Sequence, residues 1–147
     1  MNLEEHYQRS VLTALGGYQL LEQLLKQYLE MYYETVQAIL GDKLAFNFTG
    51  KDFSNAPLGA LQKAFSKTTK NSELVDRIRA LISHRDHIAH LALNCLYDES
   101  TPPESYTAMT DENFKTIAEI RNIHQAVLQE MKVMMVAMKN AELQGRA

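Results

Sequence analysis

Read as a string of apolar and polar positions, the chain is helical almost from end to end. In "YQLLEQLLKQYLEMYYETVQAIL" (18–40), Leu21, Leu24, Leu25, Tyr28, Tyr32, Val36 and Ile39 recur every three or four residues, the spacing of one buried helix side. The stretch 3–15 is a further short helix, or the start of the same helix kinked at Gly16-Gly17. Gly41 stops it, and "GDKLAFNFTGKDFSNAP" is a loop. A short helix is predicted over 58–66. "TKNSELVDRIRALISHRDHIAHLALNCLY" starts a long one with Asn71 or Ser72 as cap and Glu73 in the first turn, where negative charge suits the helix dipole. Two prolines in "DESTPPESYTAMT" end it, and Thr110 is expected to cap a last helix running to about Leu143. With no repeat or linker, the pattern predicts one all-α domain over 1–147, an up-down bundle of four main helices with room for a fifth short one.

The odd stretch is "LISHRDHIAHLAL" (81–93), where an apolar helix carries an arginine, an aspartate and three histidines. Set Arg85 at 0° and turn about 100° per residue. Leu74, Ile78, Leu81, Ile88, Ala89, Ala92 and Leu96 then lie within about 60° of it, and Val75, Ile82 and Leu93 widen the arc. Arginine does not shed its charge, so this position demands a carboxylate, a water-filled cleft or an anionic ligand. Glu22 or Glu30 of the first long helix is the natural candidate for an internal ion pair.

Asp86 and His90, four apart, share a flank, either as an ordinary surface pair or as a carboxylate that orients an acid–base histidine. His84 and His87 point away toward the polar side. Three histidines three apart sweep about 120° of a helix, too much for one ion. No Glu-x-x-His pair on separate helices and no zinc-protease spacing is present, so no metal and no cofactor is expected. In the last helix Ile117, Ile120, Val127, Leu128, Met131, Met135 and Met138 form the apolar face, with His124 at its centre and Arg121 at its edge. His124 is either a core histidine bonded across the bundle or a member of the Arg85 cleft.

Composition narrows the setting. Of the 147 residues, 46% are hydrophobic and 22% charged, ordinary values for a globular domain. Net charge is −3, so the surface as a whole does not attract nucleic acid. Locally the balance reverses. Lys63, Lys67, Lys70, Arg77, Arg79 and Arg85 outnumber Glu73, Asp76 and Asp86. The single cysteine, Cys95, forms no internal disulfide and suits a reducing compartment. No apolar run reaches membrane-span length, and "MNLEEHYQRS" lacks the form of a secretion signal, so a cytoplasmic protein is expected.

"RDHIAH" (85–90), an arginine, a polar residue directly after it and a histidine five positions on, resembles the R-polar-x-x-x-H motif of HEPN domains, all-α modules that handle RNA and nucleotides. The Leu58-Gly59 step in "PLGALQKAF", ahead of the motif helix, is similar to the family pattern as well. The resemblance implies a metal-independent endoribonuclease in which a 2′-hydroxyl attacks the adjacent phosphate. His90 would transfer protons, Arg85 would stabilise the phosphoryl charge, and Asp86 would position one of them. His87, His124 and Arg121 are candidate cleft-lining residues. The resemblance also implies a homodimer, with RNA or a nucleotide as ligand and an antitoxin or regulatory protein as a further partner. The alternative it leaves is a HEPN-like module that binds without cutting. Met131, Met134, Met135 and Met138 would give a dimer its apolar patch.

Overall fold

Asn2 starts the first helix with a reciprocal cap. Its side chain accepts from the Glu5 amide at 2.8 Å while the Glu5 carboxylate accepts from the Asn2 amide at 3.1 Å. The computed structural model describes residues 2–145. Its α-helices are α1 (Leu3–Leu40), α2 (Leu58–Ser66), α3 (Ser72–Tyr97) and α4 (Pro103–Gly145), with a 3₁₀ turn at Gly50–Phe53. This is an all-α bundle, as the periodicity predicts.

Cross-helix contacts fix the topology. Tyr7 meets Tyr106, Asn113 donates to Ser10 at 2.9 Å, and Gly17 faces Ile120, so α1 and α4 run in the same direction. Tyr18 reaches Leu81, and Asn71 reaches Glu130, so α3 runs the opposite way between them. The three long helices therefore alternate up, down and up in chain order. Below, "upper" denotes the end holding the start of α3. There α2 packs on both α1 and α3, and Phe65 sets its ring edge-on to Tyr28. The loop before α2 returns along α1, stacking Phe53 on Tyr33. It passes so close that any side chain at Gly50 would collide with the Glu30 backbone.

Of the two readings of the stretch 3–15, the structure takes the single long helix, since α1 passes through Gly16-Gly17 without interruption. Gly17 serves contact instead of breakage. A Cβ there would sit 3.2 Å from Ile120, so its absence lets α1 and α4 approach closely. The last helix begins at Pro103, not at a Thr110 cap. Proline suits the first turn of a helix, where its missing N–H has no partner to lose, and the early start carries Tyr106 onto Tyr7. Thr110 is buried inside the helix, its hydroxyl without a partner.

The core is one cluster, from Tyr7 and Tyr106 at the lower end through Tyr18, Leu21, Ile78, Leu81 and Ile120 to Tyr28 and Phe65 at the upper. Above the Asn71–Glu130 contact, α4 continues for about 15 residues, roughly 22 Å beyond the start of α3. Along that extension Val133, Met135 and Val136 are exposed. No helix among the described residues is long and apolar enough to cross a membrane.

Candidate functional site

Helix α3 is fastened beside the motif by Tyr18. Its hydroxyl donates to the Leu81 carbonyl at 2.7 Å, one turn before Arg85. Burial pushes the Tyr18 pKa up to about 12, and the positive charge of nearby Arg85 opposes the rise. Tyr18 lies on the apolar side of α1, one turn before Leu21, where the three-and-four spacing extends back to it. The tyrosine hydroxyl is what converts that packing position into an anchor for the motif.

Arg85 is half-buried and lines a hollow of about 430 Å³ against α1, with Gly16, Gln19, Leu20, Glu22 and Gln23. Among the described residues the side-chain ion pairs are Lys26–Glu22, Arg77–Glu119, Arg79–Asp76 and Lys115–Glu112. Arg85 belongs to none of them, nor does its guanidinium make any side-chain hydrogen bond. The alternative of an internal pair with Glu22 or Glu30 is not formed: Glu22 accepts from Lys26 at 3.2 Å, and Glu30 makes no ion pair with Arg85. Arg85 therefore faces solvent, the amides of Gln19 and Gln23, and a Glu22 carboxylate already bonded to Lys26, an arrangement open to an anion.

Asp86 and His90 project to the exposed side of α3. No hydrogen bond joins them in the described residues, and neither bonds to Arg85. Within the chain the three motif residues sit on successive faces of one helix without converging. His87 is exposed, its ring 5.5 Å from that of half-buried His84. Both line a smaller hollow of about 230 Å³ between α3 and α4, with Glu112 and Asn113.

His124 and Arg121 line a third hollow, of about 450 Å³, between α1 and α4. Gly16 and Leu20 border both this hollow and that of Arg85, so the two lie on either flank of the outward side of α1. Burial lowers the His124 pKa, an effect opposed by a hydrogen bond to the Gly17 backbone, and its Nε2 has no partner. Arg121 is exposed. The candidates thus distribute over three hollows, with Arg85, His87 and His124 each in its own.

Sequence reasoning missed the groove below Arg85. It lies between the lower halves of α1 and α3, has a volume of about 580 Å³, and is walled by apolar side chains. Tyr7 and Cys95 meet in its floor, where burial and the neighbouring thiol raise the Tyr7 pKa. The signal was present in Ala89 and Ala92, small residues on the apolar arc, which leave space where larger ones would fill it. No cluster of three or more His, Cys, Asp or Glu side chains among the described residues has an arrangement that could hold a metal ion. No protein-family model, no curated protein and no solved structure matches the chain.

Proposed function

We propose that this chain is a HEPN-like endoribonuclease that acts without a metal. The observation that supports this reading most is the state of Arg85, a half-buried guanidinium in a hollow with no carboxylate bonded to it. Such a group binds phosphate at little cost, because no ion pair is broken first. On this reading the 2′-oxygen bonds to phosphorus as the P–O5′ bond breaks, His90 carries the proton lost by the 2′-hydroxyl to the departing 5′-oxygen, and Arg85 stabilises the charge on the phosphoryl oxygens, leaving a cyclic phosphate and a free 5′-hydroxyl. Asp86, one turn before His90 on the exposed side of α3, is the residue that positions it on this reading. A second protomer brings its own motif to the RNA, supplying the convergence that one helix does not provide. The exposed Met135, Val133 and Val136 of α4 support such pairing.

The test is digestion of a defined RNA in excess chelator, wild type beside His90→Ala. Cleavage that persists in chelator, leaves a cyclic phosphate and disappears in His90→Ala fits the proposal. The same RNA with a 2′-deoxy sugar at the cut site must resist cutting, since its nucleophile is gone. A second reading, a module that binds RNA or a nucleotide without cutting, is favoured by the separation of Arg85 from His90 within the protomer. It predicts RNA binding that depends on Arg85, with no cleavage under any condition.

A further inference from the structure

Helix α3 carries the same apolar face along its whole length, but below Arg85 only the edge holding Ile88, 3% exposed, is sealed, and the rest of that face is open. Val75 and Leu93 occupy equivalent angular positions about five turns apart, as do Ile78 and Leu96. Val75 is 7% exposed and Ile78 0%, whereas Leu93 is 56% exposed and Leu96 67%. The difference coincides with α2, which lies across α1 and α3 at the upper end. Its 9 residues span about 13 Å, against about 39 Å for the 26 residues of α3. The fourth position of the bundle is therefore filled at one end and open at the other. The open part is the 580 Å³ groove, deepened by Ala89 and Ala92 and edged by exposed Leu12, Leu93 and Leu96.

We propose that this groove seats an amphipathic helix of a partner polypeptide, about three turns long, with an acidic first turn and a basic last turn. The length follows from the open distance between the levels of Arg85 and Leu96, roughly 17 Å. The charge pattern follows from the two ends of the groove. At the upper end the groove gives way to the Arg85 hollow, where Arg85, which has no ion-pair partner, and the Glu22-bonded Lys26 outnumber the Glu22 carboxylate. At the lower end stand Glu4, which lines the groove, and the adjacent Glu5. A helix with acidic residues toward Arg85 and basic residues toward Glu4 complements both ends, and those charges also suit its own dipole. It runs antiparallel to α1 and lays apolar anchors at helical spacing into the groove. A second copy of this chain fits less well, because its equivalent face is itself a groove and two concave faces leave the gap unfilled. The inference does not depend on RNA cleavage.

The experiment uses a labelled synthetic peptide of about 14 residues, with leucines at helical spacing, glutamates in its first turn and lysines in its last. Fluorescence anisotropy at low salt is expected to show saturable binding to the full chain. A control peptide with the lysines replaced by glutamates should bind at least about ten-fold more weakly. Glu4→Lys should erase most of that preference, and Leu93→Lys should abolish binding while circular dichroism shows an unchanged helix content. No saturable binding, equal binding of the two peptides, or binding indifferent to Leu93→Lys overturns the proposal. Sedimentation adds a further outcome: if the wild type is a dimer that Leu93→Lys converts to monomer, a second copy occupies the groove and the proposal fails.

Discussion

The upper and lower halves of α3 present the same chemistry in opposite settings. In the upper half Ile78 is sealed under neighbouring helices, and Arg77 is fixed to Glu119 of α4 by hydrogen bonds of 2.7 and 3.2 Å. In the lower half Leu96 faces solvent, and Arg85, on the same angular line as Ile78, has no carboxylate bonded to it. The upper half holds the fold together. In the lower half Ile88 is still sealed, but Leu93 and Leu96 stand exposed and Arg85 has no bonded carboxylate, which is where a binding or catalytic surface is expected.

The largest effect should come from breaking the covered half. Ile78→Ala is expected to destabilise the chain by about 2–5 kcal/mol, because the sealed site leaves a cavity. Leu96→Ala should change stability by no more than about 0.5 kcal/mol. Urea unfolding of both variants checks the contrast, and a comparable loss at the two positions would break it.

Next in size is the fastening between the halves. Tyr18→Phe removes the hydroxyl that donates to the Leu81 carbonyl. A loss of about 1 kcal/mol is expected. Arg77→Leu should cost less than about 1 kcal/mol, since both it and Glu119 retain about a third of their side-chain exposure and water screens the pair.

A smaller effect is a dependence on pH. His124 has its pKa lowered in the folded chain by burial, so the unfolded chain binds its proton more readily. Stability from this group is fully present above the unfolded value of about 6.5 and declines as pH falls below it toward the folded value. Melting temperature measured from neutral to mildly acidic pH should fall in the wild type, and His124→Leu should flatten that part of the slope.

Much of this was legible in the residues. The three-and-four spacing of Leu21, Leu25 and Tyr28 marks α1, and Asn71 with Glu73 marks the start of α3. What periodicity does not contain is the identity of the neighbour. It places Leu93 and Leu96 on the same arc as Val75 and Ile78, but coverage depends on where the short α2 lands. The Pro102-Pro103 pair reads as a break, and α3 does stop at Tyr97 ahead of it, but Pro103 itself opens α4, because the helix-breaking property of proline vanishes in a first turn. Gly16-Gly17 leaves open a separator or a continuous helix, and what Gly17 is used for, close contact with Ile120, lies a hundred residues away. For the candidate site, the sequence singled out Arg85 as a cation on an apolar arc. The four-residue spacing of Asp86 and His90 permits a hydrogen bond without requiring one, and both side chains stay in solvent.

The central claim is that Arg85 is an open cation awaiting an anion rather than half of an internal pair. Arg85→Leu tests it most directly, with thermal unfolding and RNA binding measured on the same preparation. The account predicts a melting temperature unchanged or raised, since leucine suits the apolar arc and no carboxylate is stranded, together with loss of RNA binding and cleavage. A drop corresponding to about 3–5 kcal/mol, the cost of stranding a buried partner charge, with RNA binding intact would contradict it.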